Sequence, residues 1–301
     1  MKVGIAQFAP VYLDLKKSLE KMEAIIESAA KEGVNLLVFG ETWLCGYPSW
    51  LDSCQDMNIW NNPTPKKMYA KTLASGIQVP GKETELIAKW CRNYNINISI
   101  GVNEKTEQDT GSLYNSLLFF DITGQLVIHH RKLNPTFTEK LIHVQGDGLG
   151  LITTDIHHAK VGGLICWEHW MPMARQALHD SGEHVHVAVW PEVHDLHLMA
   201  SRHYAFESKS YVIAAGQLLR YEDMPEELPI IEKFQPGDYI LKGGSCIIGP
   251  DSNLITDQVF EKEQLITAEL DMENVMAEKM YLDTGGHYSR KDVFFFEVKR
   301  G

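Results

Sequence analysis

Residues 2–39 read KVGIAQFAPVYLDLKKSLEKMEAIIESAAKEGVNLLVF, and this stretch decides the fold class. Residues 2–8 alternate and are bounded by Pro10, the pattern of a strand. Over 15–32, Leu19, Met22, Ile25, Ile26 and Ala29 share one face at the 3.6-residue period, with Lys, Glu and Ser elsewhere. Gly33 stands where a helix C-terminal cap belongs. Residues 35–39 (NLLVF) then read as a buried strand, so the chain opens with a βαβ unit.

The same grammar runs onward. The spacing predicts helices at 82–94, 173–180, 196–209 and 272–280. Strands are predicted at 96–102, 161–166, 184–190, 211–217, 244–248 and 264–270, with a hairpin of 113–120 and 125–132 turning at Thr123-Gly124. Strands and helices alternate throughout and no Pro/Gly/Ser linker divides them. The expectation is one α/β domain over 1–301 with a mixed sheet. Segments 46–66 and 221–238, rich in Pro, acidic and aromatic residues, read as long irregular loops of the kind that line binding sites.

Composition narrows the function. The 301 residues carry a net charge of −12, with no basic block, which disfavours nucleic acid and anionic membrane surfaces. No apolar run is long enough to span a bilayer. The N-terminus lacks a signal-peptide pattern, so a cytoplasmic, reducing location is expected. Five cysteines with no CxxC do not suggest a disulfide scaffold.

Four of these, Cys45, Cys54, Cys91 and Cys246, read as small buried hydrophobes. Cys166 is different. It ends the apolar strand VGGLIC and precedes WEHWMP and a helix, so its thiol is pushed out of the sheet beside backbone N–H groups that can hold an oxyanion. The plain alternative, a buried strand-end cysteine, weighs equally on this spacing. A thiol nucleophile needs a base and a stabiliser of developing negative charge. Glu41 ends NLLVFGE before an aromatic-rich loop, and Lys132 ends LVIHHRK. Each alone is as readily a solvated surface residue. Three such strand ends would converge if the strands were parallel and adjacent.

Three segments in order, GETWLCGYP around Glu41, HRKLNPTFTE around Lys132 and GGLICWEHWMP around Cys166, make the chain resemble the nitrilase superfamily of carbon–nitrogen hydrolases. KVGIAQFAP, GSLYNSLLFFD and GGHYSR extend the resemblance over essentially the whole chain. It implies a four-layer αββα sandwich of two mixed β-sheets flanked by helices. It implies a Glu41–Lys132–Cys166 triad with Glu139 beside the lysine, and no cofactor or metal. It also implies a homodimer or larger homo-oligomer through the helices that follow the nucleophile, around 173–180 and 200–210. Amidases of the superfamily tend to carry aspartate two residues after the cysteine. Here Trp167-Glu168 follows, which is similar to the nitrilase branch, as are GYP after Glu41 and GDG at 146–148. One departure stands out: Glu139 is followed by Lys140 and His143, where that branch usually has Glu-Arg and then an aromatic residue. Many members of that branch continue with a tail that joins subunits, and the sequence given stops at FFFEVKRG, so long filaments are unexpected.

The implied reaction is hydrolysis of a nitrile to acid and ammonia through a thioimidate and a thioester on Cys166, with amide hydrolysis as the alternative. Trp43, Tyr47, Trp167, Trp190 and Glu192 are the candidate substrate contacts, Trp190 being as readily core. The rival from another class is a metal-dependent hydrolase built on His184, His186, His194, His197 and His203, where HVH puts two imidazoles on one strand face. No HExxH-like carboxylate joins them. A binding protein on the same fold would not need Glu41, Lys132 and Cys166 together.

Overall fold

The structure is a computed structural model that describes residues 1–106 and 110–300. The first half contains β1 (Lys2–Gln7), α1 (Leu15–Lys31), β2 (Leu36–Val38), α2 (Trp50–Ser53), α3 (Pro63–Ser75), β3 (Ile77–Gln78), α4 (Lys82–Tyr94), β4 (Asn97–Lys105), β5 (Leu113–Phe120) and β6 (Leu126–Arg131). The second contains β7 (Thr154–Ile156), β8 (Ala159–Ile165), α5 (Pro172–His179), β9 (Val185–Val189), α6 (Asp195–Ser208), β10 (Tyr211–Ala215), β11 (Leu218–Arg220), β12 (Tyr239–Ile248), β13 (Val259–Phe260), β14 (Gln264–Glu269) and α7 (Met272–Glu278). Among the described residues no helix is long and apolar enough to cross a membrane.

The opening βαβ unit forms as the sequence predicts. The Asp14 side chain accepts from the Lys17 N–H to start α1, and Gly33 takes the left-handed conformation after its end. β1 and β2 pair in parallel, and β2 pairs with β4 the same way. The hairpin of β5 and β6 also forms, with Gly124 at positive φ in its turn.

Two mixed sheets result. One runs β14-β1-β2-β4-β5-β6 with β3 beside β4; the other runs β11-β12-β10-β9-β8-β7 with β13 beside β12. Side-chain alternation explains why they stack. Val3, Ile5, Leu36, Val38, Leu117 and Phe119 of the first sheet share a core with Val161, Val187 and Ile213 of the second. Their neighbours Ala6, Leu37, Leu118 and Phe120 turn the other way, onto α1 and α4. Strands buried on both faces must be apolar throughout, which is why they read as runs rather than alternations. On the far side α5 and α6 cover the second sheet through Ala174, Leu178, Tyr204 and Ala205. This is the αββα sandwich.

Two expectations need correction. Residues 46–66 are not irregular throughout: they contain α2 and the start of α3, where Asn62 caps and Pro63 takes the first helical position. A Pro-rich run hid a helix start. The reactive strand ends also do not come from adjacent strands. β2 and β6 are separated by β4 and β5, and β8 lies in the opposite sheet. They meet across the sandwich. Above them the two long segments pair with each other: Gln55 N–H donates to Pro229 O and Ile231 N–H to Ser53 O, both at 2.9 Å. Trp50, Leu51, Cys54, Met57, Met224 and Leu228 form a separate small core there.

Candidate active site

Glu41 follows β2, Lys132 follows β6 and Cys166 follows β8, and all three are buried. The Lys132 ammonium donates to Glu41 Oε1 at 2.8 Å and to both oxygens of Glu139 at 2.9 and 2.7 Å. Glu139 lies in a short 3-10 turn, Phe137–Leu141, and also accepts from the Thr136 N–H and the Tyr47 hydroxyl. Ligating atoms of Glu41, Glu139 and Cys166 lie within 4.8 Å of one another. Such a trio resembles a cation site, and the cation in contact with both carboxylates is the Lys132 ammonium.

Electrostatics divides the labour. Burial works against the lysine charge, but Cys166, Glu41 and Glu139 around it override that and raise its pKa, so it stays an ammonium. Burial also opposes the Glu139 charge, yet Lys132 prevails and holds that carboxyl low. Glu41 shares the same ammonium through one oxygen only. Burial pushes it up to about 7, against the pull of Lys132. Its other oxygen, Oε2, is buried with no hydrogen-bond partner. Burial, then the Glu41 charge, push the Cys166 thiol well above its ordinary value, while the Trp167 N–H pulls the other way. The resting thiol therefore keeps its proton, beside a carboxylate that has a free oxygen to take it.

The backbone is arranged for this. Cys166 adopts φ of 52°, a left-handed conformation that is strained for a non-glycine residue and turns the side chain off the strand. Glu168, buried, ties that turn to the lysine strand. It accepts from the Ile165 N–H at 2.7 Å, the Leu133 N–H at 2.8 Å and His130 Nε2 at 2.8 Å. At the other corner a Cβ at Gly101 would stand 2.3 Å from Thr42 N and 2.4 Å from Gly40 O. Those backbone atoms flank Glu41 and have no room to retreat. Gly101→Ala is expected to displace Glu41 and lower kcat by about 10²-fold, with substrate affinity much less affected. Steady-state kinetics on the folded variant checks this, and an unchanged kcat would show that the Glu41 position is not held there.

Sequence reasoning missed Asn115 and Gln217. Asn115 Nδ2 donates to Glu41 Oε1 at 2.7 Å, and Gln217 Nε2 donates to the Glu41 carbonyl. A lone asparagine inside the apolar run of β5 was the available signal. For Glu168 the only signal in the sequence is its place two residues after the cysteine.

The substrate candidates scatter. Tyr47 reaches Glu139, and Trp167 follows the thiol and is half exposed. Glu192 is half-buried and accepts from the Lys242 N–H. Trp43 donates to Phe8 O and packs in the core under α1 and α4. Trp190 lies in the core stacked between His169 and His197. The five histidines also part company. His184 accepts from the Lys160 N–H, and His186 points inward to His169 and Glu183. His194 caps α6, His197 bonds to the Glu192 carbonyl, and His203 is exposed near Glu207.

A buried thiol, a carboxylate with a free oxygen, and an ammonium held by a second carboxylate make a site for attack on an electrophilic carbon with build-up of negative charge. Comparison with known proteins narrows this class. The carbon-nitrogen hydrolase family profile matches residues 2–279, and the chain belongs to that family. It is 38% identical to a protein named "Nitrilase 2" from an unknown prokaryotic organism, over 99% of this chain and 92% of that one. It is 32% identical to an "Aliphatic nitrilase" of Sinorhizobium fredii (strain HH103), over 97% and 94%. The crystal structure of a carbon-nitrogen hydrolase from Helicobacter pylori G27 superposes with a TM-score of 0.72 at 19% identity, covering 97% of each chain.

Proposed function

We propose that this protein is a nitrilase, hydrolysing an organic nitrile to a carboxylic acid and ammonia, with Cys166 as nucleophile, Glu41 as general base and Lys132 as electrostatic stabiliser. The observation that carries the reading is the Glu41 carboxylate, which has an oxygen within 4.8 Å of Cys166 Sγ and one oxygen, Oε2, without a partner, in a chain that aligns over nearly its full length with proteins named nitrilases.

Glu41 Oε2 takes the thiol proton as sulfur bonds to the nitrile carbon. The Lys132 ammonium and the Trp167 N–H stabilise the charge that develops on nitrogen, and Glu41 passes the thiol proton to that nitrogen to give a thioimidate. Glu41 then takes a proton from water as it adds to the same carbon. Glu41 gives that proton to nitrogen and then relays the new hydroxyl's proton to it, so the C–N bond breaks, ammonia leaves, and a thioester remains on Cys166. A second water attacks, the C–S bond breaks, and the acid departs as the thiol regains its proton. Glu139, together with Glu41, keeps Lys132 charged and in place. An amide enters the same cycle at the tetrahedral stage, so substrate range falls to the pocket, where Lys140 and His143 depart from the nitrilase pattern. The test is ammonia release from aliphatic, aryl and arylacetyl nitriles beside their amides. Turnover of amides with no nitrile accepted would move the chain to the amidases. Activity lost to a thiol alkylator and kept in a strong chelator supports the thiol scheme; the reverse pattern supports a metal.

The acid limb of the pH profile follows from Glu41. It must be ionised to accept the thiol proton, and burial holds it at about 7. We expect kcat/KM to rise with pH through about 7 and to fall about tenfold per pH unit well below it. Because the folded value lies above the unfolded one, the same group stabilises the fold at low pH, and that contribution is lost as pH rises through about 7. A kcat/KM flat down to pH 5 would remove Glu41 from the base role.

The same reading includes a reducing, cytoplasmic compartment, since all five cysteines are free. It also includes a homodimer built on α5 and α6, where Met173 and Phe206 are exposed. Light scattering on the purified chain tests the dimer.

A further inference from the structure

Behind the thiol lies a row of buried polar groups that the scheme above does not use. The Cys166 carbonyl is 2.6 Å from His169 Nδ1. His169 Nε2 is 2.9 Å from His186 Nε2, and His186 Nδ1 is 2.9 Å from Glu183 Oε1. The Tyr204 hydroxyl donates to Glu183 Oε2 at 2.6 Å. Every member is buried. Stacking fixes the rings: His169 lies on Trp190 and His186 on Tyr204. Gly162 makes the room, because a Cβ there would stand 2.5 Å from Glu183 Oε1.

Proton counting constrains this row. A carbonyl only accepts, so His169 Nδ1 carries hydrogen. His169 is held neutral by burial, so its Nε2 is a lone pair and His186 Nε2 must carry the hydrogen between them. A neutral His186 then presents a lone pair at Nδ1, and Glu183 must donate to it. If the proton sits on His186 instead, the count is the same. The Glu183–His186 pair therefore holds one proton more than a carboxylate and a neutral imidazole would. Remove it, and either two lone pairs face each other between the histidines or His169 moves its hydrogen to Nε2 and releases the Cys166 carbonyl.

We propose that Glu183 is a positioning residue for the reaction: its proton, passed as a hydrogen-bond direction through His186 and His169, holds the Cys166 carbonyl and with it the left-handed turn that presents the thiol. Nothing in the residue pattern marks this role, since Glu183 lies two residues before β9 and its partners Tyr204 and His186 are brought to it only by the fold.

The surroundings favour the protonated pair. Burial lifts Glu183 to about 8 and holds His186 well below its ordinary value. The groups that face Glu183 from other elements are Tyr204 on α6, His179 on α5, Lys279 after α7, and His184. His179 is kept neutral by burial, at about 4. Nearer the thiol, Arg175 on α5 donates to the His169 carbonyl and pairs with Glu207 on α6. Glu168 and His130 flank His186 from the other side.

The test has two arms, and the proposal rests on Cys166 being the nucleophile only in the first. Glu183→Gln supplies an amide N–H to His186 Nδ1 and an oxygen to Tyr204, so it copies the protonated acid at every pH. We expect wild-type kcat to fall about tenfold one pH unit above a midpoint near 8, with KM much less affected, and Glu183→Gln to keep its kcat over the same range. An alkaline limb shared by both proteins, or a wild type with none, overturns the proposal. In the second arm, ¹⁵N histidine NMR on the wild-type chain reads the tautomers without any turnover. His169 should carry Nδ1–H and His186 Nε2–H at neutral pH, and the pattern should change as the pair loses its proton. Two Nε2–H imidazoles at neutral pH overturn the proposal even if Glu183→Gln does not fold. Nitrile turnover by Cys166→Ala would fail the nucleophile assignment and leave the NMR result standing.

Discussion

Cys166→Ala is expected to lose about 10⁵-fold or more in kcat, the scale seen when a covalent nucleophile is deleted. Nothing else among the described residues near Glu41 can form the thioimidate: the other four cysteines are buried elsewhere, in strand, helix and loop packing. The fold should survive, because removing one buried sulfur leaves a small cavity that costs about 1 kcal/mol. Ammonia release and thermal melting on the same sample separate the two effects. If the variant turned over nitriles at the wild-type rate, the covalent scheme would be wrong. Cys166→Ser is also expected to be severely impaired. Its hydroxyl is harder to ionise than a thiol, in a pocket that already pushes the Cys166 thiol upward.

Lys132→Met should damage both activity and stability. Its ammonium touches two buried carboxylates, and its loss leaves Glu41 and Glu139 facing each other without a counter-charge. Breaking such a set by removing one partner costs about 3–5 kcal/mol. Loss of the charge opposite the developing anion should lower kcat by about 10³-fold as well. The stability loss should depend on pH. Without the ammonium, both carboxyls have folded pKa values above their unfolded ones. The deficit is then smallest in acid, where both are protonated, and grows as pH rises. Melting curves of wild type and variant at pH 5 and 8 test this: equal deficits at both would mean the carboxylates are not the source. Glu139→Gln added to Lys132→Met should return part of the stability and none of the activity.

The sequence and the structure agree unevenly, for physical reasons. The opening strand, helix and strand were legible because α1 has one wet face and one dry face. β2 and β5 are dry on both faces, so their periodicity said only "buried". Nothing in NLLVF or LLFF tells which side chains meet the second sheet, and the sandwich came from family resemblance. Each member of the proposed triad follows a strand, but spacing alone leaves each as readily a surface or packing residue, and only the ordered segments of the resemblance join the three. Asn115 and Glu168 were not legible, because their roles depend on partners brought near by the fold. Asn115 lies 74 positions from Glu41, and Glu168 lies 35 from Leu133. The aromatic candidates fared worst. Tyr47 reaches the site while Trp43 goes to the outer core, and one turn of loop geometry separates them.

The meeting of residues across two sheets has a consequence for how the enzyme matures. Glu41 and Lys132 belong to the sheet whose strands, β14 apart, come first in the chain, and Cys166 to the one made afterwards. Neither half carries Glu41 and Cys166 together. The β14 strand that closes the first sheet onto β1 comes from near the C-terminus. During synthesis or refolding the thiol is therefore without its partner until the halves dock, and such long-range pairing is slow. Recovered turnover after denaturation should report docking rather than the growth of either sheet. Helical signal should return first and nitrile hydrolysis last.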